Sequence, residues 1–188
     1  MNKPAHLIFG AAIFARPNKP KVNAAAIIGG LFPDFSLYFL VFWSRFVAKN
    51  DFSYIFDVQY FSTTWQAVFA IDNSFILWGI VLSVGLWMRR DWIWVLAGSA
   101  LIHLLFDFLL HHDDARRHFW PLSDWVFVSP LSYWDDDHHG ALVGGMEMVA
   151  VFCMLLILVR RFRRSWISLL FVIIALAEFI PIIMFNAM

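Results

Sequence analysis

The chain has 188 residues, the length of one ordinary domain, but 61% of them are hydrophobic and only 15% are charged. Soluble domains are nearer half apolar and a quarter charged, so this composition, with a mean hydropathy of +0.69, excludes a water-soluble globule and requires a bilayer as solvent. The formal net charge of zero gives no reason to expect a nucleic-acid partner.

In chain order the first predicted element is Pro4–Ala15, an apolar helix with Pro4 in its first turn. At ~1.5 Å per residue it is too short to cross ~30 Å of hydrocarbon in a straight line, so a re-entrant or half-depth helix is expected. Leu7–Ala15 is a poor signal-peptide core, because Ile13-Phe14-Ala15 is not a small-x-small cleavage site and basic residues follow it. Four longer runs are predicted to span: Ala24–Phe46, Gln66–Met88, Trp92–His112 and Ala141–Val159. A fifth, Ser165–Met188, ends the chain. The expectation is an all-α integral membrane bundle of about five transmembrane helices plus the short N-terminal one, with residues 1–188 forming a single domain. Trp43, Trp65, Trp87, Trp92 and Trp166 lie near the ends of apolar runs, as in an interfacial aromatic belt. Cys153 lies in an apolar run, can form no disulfide within the chain and reads as an inert thiol.

Charge orients these spans. Arg16, Lys19 and Lys21 precede the first long run, Arg89 and Arg90 join the second and third, and Arg160, Arg161, Arg163 and Arg164 join the last two. If each long run crosses once, all three clusters fall on one side, which the positive-inside rule makes cytoplasmic. The Val47–Trp65 and Asp113–Gly140 loops and the C-terminus are then expected on the periplasmic side of a bacterial-type inner membrane. The second loop holds six Asp against Arg116 and Arg117, a formal charge of −4.

Ionisable groups inside a bilayer cost roughly 2.5–3.5 kcal/mol each on insertion scales and usually have a task. Here they are His6, Asp34, Asp72, His103, Asp107, Glu147 and Glu178, with His111 and His112 at a span end. His103, Asp107, His111 and Asp114 step by 4, 4 and 3. At ~100° per residue they share one helical stripe about 80° wide. Imidazoles and carboxylates on one stripe suit a divalent ion such as zinc, or a carboxylate orienting an imidazole. One stripe cannot complete a shell, so other helices must contribute, and His6, Asp34 and Asp72 are available. Gly29-Gly30-Leu31-Phe32-Pro33-Asp34 predicts a broken helix, a common way to place a polar site at membrane depth. Blander readings exist for each feature. His103 and Asp107 alone make a satisfied hydrogen-bonded pair, Asp72-Asn73-Ser74 is a helix cap or interhelical glue, and Asp135-Asp136-Asp137 with His138 and His139 is a solvated loop.

His6 with Gly10, Phe32-Pro33-Asp34, and His103-Leu104-Leu105-Phe106-Asp107 together resemble the YdjM-like family of LexA-binding, inner-membrane-associated, metal-dependent hydrolases. These motifs span about the first 110 residues. Ser36 stands where that family often has a second acid, and Asp72-Asn73-Ser74 where it often has Thr-His-Ser. A fainter likeness is to zinc-dependent phospholipase C, through His-x-x-x-Asp. Its His-x-x-x-Glu is not met, because Val143 precedes Glu147 by four. The resemblance implies a metal, most simply zinc, held by His6, Asp34, His103 and Asp107, with Asp72 or His111 completing the shell. Glu147, Asp114 and His112 are the candidate acid/base groups. Arg116, Arg117, His118 and Tyr133 are the candidate contacts to a phosphoester or lipid-like substrate. Trp120, Trp125 and Trp134 are candidates to lie on the membrane surface. Membrane lipids are the expected partners, and the family's label alone implies a repressor. The same buried groups also fit a small proton or metal-ion transporter, or an assembly protein with structural polar contacts.

Overall fold

The computed structural model describes residues 1–163 and 166–178, and among these every regular element is helical. The helices are α1 (Lys3–Phe14), α2 (Pro20–Leu31), α3 (Phe35–Phe42), the single turn α4 (Phe52–Tyr54), α5 (Thr63–Asp72), α6 (Phe75–Trp87), α7 (Asp91–Leu110), α8 (Gly140–Arg161) and α9 (Ile167–Leu176). A 3-10 turn, Phe32–Asp34, joins α2 to α3, and wider π turns follow at Trp43–Val47 and Ile55–Gln59. Four stretches are long and apolar enough to cross a membrane: Pro20–Val47, Thr63–Trp87, Asp91–Leu110 and Gly140–Arg161. The expected fifth span begins as α9. Residues 179–188, and with them the predicted position of the C-terminus, lie outside the described residues.

α7 is the axis of the bundle. It runs between α2 and α6, with α1 laid against both α2 and α7. Small residues let the backbones close up, as in membrane helix pairs that lack a hydrophobic drive in lipid. A Cβ on Gly29 would come within 2.2 Å of the Leu96 carbonyl oxygen. Ser99 Oγ donates to the Ala26 carbonyl at 2.6 Å, a hydrogen bond between α7 and α2. The outer surface is apolar. Phe35, Phe39 and Phe42 along α3, Phe46 in the π turn after it, and Leu142, Met146, Val149 and Phe152 along α8 are all exposed. Such faces are untenable in water and ordinary in lipid.

The basic segments meet at one end. Arg161 donates to the Ala12 and Ala15 carbonyls at 2.8 and 2.7 Å, and Lys19 pairs with Asp91 at 2.7 Å. Trp87, Trp92 and Trp166 are exposed near this end. Trp65 departs from the predicted belt. It is buried with Ile55, Tyr60 and Phe69, because the stretch expected as a loop before it folds into helical turns that cover it.

Two spans are broken, and the breaks touch. The first was legible from Pro33. The second splits the predicted Gln66–Met88 helix at Asn73-Ser74, where Ser74 Oγ caps α6 by accepting from the Leu77 N–H at 3.1 Å. Asn73 Nδ2 donates across to the Pro33 carbonyl at 2.8 Å, and Asp72 Oδ2 accepts the Ser36 N–H at 2.9 Å. Side chains at the second break thus satisfy backbone groups freed by the first.

Candidate metal centre

The centre forms where α1 crosses the α2–α3 break against α7. Pro33 supplies no N–H to the turn beneath it, and the Gly30 carbonyl there accepts instead from His103 Nδ1 at 2.7 Å. A carbonyl can only accept, so Nδ1 carries the proton and Nε2 is the nitrogen turned to the acids. Nε2 lies 2.9 Å from Asp107 Oδ2 and 3.3 Å from Asp34 Oδ2. Two carboxylate oxygens thus face His103 Nε2.

His6 joins from α1. Its ring stacks on His103 with centroids 3.6 Å apart and planes 13° from parallel, and its Nε2 is 3.0 Å from Asp107 Oδ1. His111 Nε2 approaches the same oxygen at 3.2 Å. Neither ring nitrogen of His6 or of His111 has hydrogen-bonding geometry to any partner, nor has Asp107 Oδ1. Donor atoms that converge without hydrogen bonding are disposed as ligands of a common ion are. Zn–N and Zn–O bonds of ~2.0–2.2 Å in a tetrahedron separate neighbouring ligand atoms by about 3.3 Å, close to the spacings found here. One ligand atom from each of His6, His103 and Asp107 falls within 4.8 Å of the others. All three side chains are buried, with 1 to 2% of their surface exposed. This His-His-Asp group can hold a metal ion.

The other sequence candidates fall around it in three groups. Asp34 and His111 stand beside the triad. Asp34 also pairs with Lys3 Nζ at 2.5 Å. Lys3 was not anticipated, although it lies one turn before His6 on the same face of α1. Asp114 and Glu147 stand one contact further out. Asp114 Oδ2 is 2.9 Å from His111 Nδ1, and Glu147 Oε1 accepts the Asn2 N–H at 2.7 Å. Tyr133 flanks His111 with ring centroids 5.3 Å apart. The remaining candidates are engaged elsewhere. Asp72 caps α3 through the Ser36 N–H, His112 Nδ1 donates to the Ser129 carbonyl, and Arg117 pairs at the surface with Asp124. His118 is buried against Phe75 and Phe108, its Nδ1 donating to the Asn73 carbonyl at 3.0 Å. Trp120 is half-buried, with its carbonyl accepting from Ser74 Oγ, whereas Trp125 and Trp134 are exposed.

Electrostatics separate the two loop histidines. Burial opposes the charged form of His111, but the Asp107 and Asp114 carboxylates outweigh it and raise its pKa. His118 has no such acid beside it, and burial lowers its pKa to about 4. A buried base with a lowered pKa takes up its proton more readily unfolded. Its contribution to stability is therefore full above pH ~6.5 and disappears as the pH falls toward 4, a loss of up to about 3 kcal/mol. Thermal midpoints measured from pH 7 to pH 4 are expected to fall less steeply for His118→Gln than for the parent.

No protein-family model matches the chain, and no curated protein and no solved structure is detectably similar to it.

Proposed function

We propose that this protein is a membrane-embedded, metal-dependent hydrolase of a bacterial-type inner membrane, with its basic end cytoplasmic. The supporting observation is the convergence of His6, His103 and Asp107 from two separate helices at ligand-to-ligand spacing, with the His6 ring and Asp107 Oδ1 free of hydrogen bonds. Two imidazoles and a carboxylate favour zinc. The resemblance of the His6, Pro33-Asp34 and His103/Asp107 motifs to the YdjM-like family supports the hydrolase class, and the fainter phospholipase C likeness supports a phosphoester or lipid-like substrate.

Bound there, zinc would lower the pKa of a water and polarise the scissile group. The chain's own residues supply the rest. The Gly30 carbonyl fixes the His103 tautomer. Lys3 offsets part of the negative charge on Asp34. Asp114 holds His111 with Nε2 facing the centre, where it could pass a proton to a leaving oxygen. Because the loop carrying Asp114 and Tyr133 closes the site at one end of the bundle, the substrate would approach from the interface.

The paired helix breaks favour a second reading, an ion pathway, since transporters build midplane sites from discontinuous helices. One experiment separates the two. Detergent-purified protein is assayed for hydrolysis of phosphomonoesters, phosphodiesters and phospholipids before and after metal chelation. Asp34→Asn is expected to lower kcat/KM by roughly 100-fold or more. Failure to hydrolyse any of these, together with ion flux in proteoliposomes that Asp34→Asn abolishes, would replace hydrolysis by transport.

A further inference from the structure

The centre does not use Arg116. Only 4% of this residue is exposed. Its Nη2 donates to the Tyr60 hydroxyl at 3.0 Å, and its guanidinium lies over Phe69, 4.4 Å from the ring centre, and beside Tyr60, 5.5 Å from that ring's centre. The aromatic faces and one hydroxyl hold it rigidly. Nε and Nη1 are buried and make no hydrogen bond, and among the described residues no carboxylate forms an ion pair with Arg116. A guanidinium taken out of water without an anion carries a large desolvation penalty. Its neighbour Arg117 is the opposite case, half-exposed and paired with Asp124 at 3.1 Å.

The acids whose field reaches Arg116 are Tyr60's phenol, Asp34, Asp107 and Asp114. The three carboxylates are already engaged, Asp34 by Lys3, Asp107 by the histidines and Asp114 by His111. Nε and Nη1 of Arg116 are thus left for an anion from outside the chain.

We propose that Arg116 anchors a phosphoryl oxygen of the substrate through Nε and Nη1, so that the hydrolysed compound is a phosphate ester. This rests on the metal reading of the adjacent centre for its position but not for its test. The phosphoryl group comes from a soluble ester or from a lipid headgroup, and both present the same oxygens.

The test titrates the full chain in detergent with inorganic phosphate, and the full chain in nanodiscs with and without phosphatidic acid, each with and without added zinc. Arg116→Gln is expected to weaken phosphate binding at least about tenfold, while Arg117→Gln leaves it within about twofold. Tighter binding of phosphatidic acid than of phosphate identifies a lipid headgroup, and the reverse identifies a soluble ester. Should Arg116→Gln fail to fold, two measurements replace it. Arg116→Lys keeps the charge but not the planar fork and is expected to bind more weakly than the parent. Phosphate is also expected to protect Arg116 of the parent from phenylglyoxal. Binding to neither probe, equal loss in the Arg116 and Arg117 variants, or no protection would overturn the proposal. Protection in a protein that takes up no metal would leave Arg116 as an anion site and remove the metal centre. Metal uptake without protection would do the reverse.

Discussion

Replacing Asp107 with alanine is expected to remove the metal and to destabilise the bundle in one step. Its two oxygens meet three imidazoles, His6 and His111 through Oδ1 and His103 through Oδ2, at 3.0, 3.2 and 2.9 Å. No other buried carboxylate is shared so widely among the described residues. Without it, three imidazoles remain at membrane depth facing one another, where only Asp34 still offers negative charge to His103. Breaking a buried charged network by removing one partner costs about 3–5 kcal/mol. Metal affinity should fall by more than about 100-fold, since loss even of an outer partner costs 10–100-fold. Metal content and thermal midpoint measured on the same preparation check both effects. Asp72→Ala is the control. It removes the acceptor for the Ser36 N–H, which should cost about 0.5–2 kcal/mol, as the loss of a helix cap does, and it should leave the metal in place. Equal metal loss in the two variants would mean that Asp107 has no special place in the centre.

Gly29→Val is expected to be as damaging, from outside the centre. The obstacle a Cβ meets is the Leu96 carbonyl oxygen at 2.2 Å, with Leu96 C at 3.0 Å. These are backbone atoms of α7, so no rotamer change relieves the clash and α2 must move away from α7. Overpacking of this kind costs 1–3 kcal/mol in ordinary cores and more where backbone is the obstacle, so about 3 kcal/mol or more is expected. The same movement carries off the Gly30 carbonyl that orients His103, and metal binding should weaken with stability. Gly79→Val tests the reasoning, because a Cβ there meets nothing within 4 Å. It should stay within about 0.5 kcal/mol of the parent, as surface substitutions do. Similar thermal midpoints for the two valine variants would show that α2 and α7 are not held at this contact.

The features legible in the sequence were those with a local period or a strong local break. The His103, Asp107 and His111 stripe followed from helical spacing alone, and α7 and α8 lie within a few residues of their predicted limits because apolar runs bounded by charge have few alternatives. Pro33 announced the first break. The second was legible only as a helix cap or interhelical glue at Asp72-Asn73-Ser74, because these residues are also tolerated inside a helix and become a break only when Pro33 and Ser36 lie across from them. The partners of the stripe were legible as residue types but not as distances. That His6 rather than Asp72 meets Asp107 depends on α1 lying in the groove made by small residues of α2 and α7, and no periodicity reports that packing. The Asp113–Gly140 loop has no repeat at all. The burial of Arg116 and His118, beside the exposure of Arg117, came only from the fold.

The central claim is that His6, His103 and Asp107 bind a metal ion, and elemental analysis of the detergent-purified protein tests it most directly. The parent should carry near-stoichiometric zinc, or another divalent ion, and a folded His103→Ala, Asp107→Ala double variant should carry none. A folded parent that holds no metal after dialysis against zinc would contradict the claim.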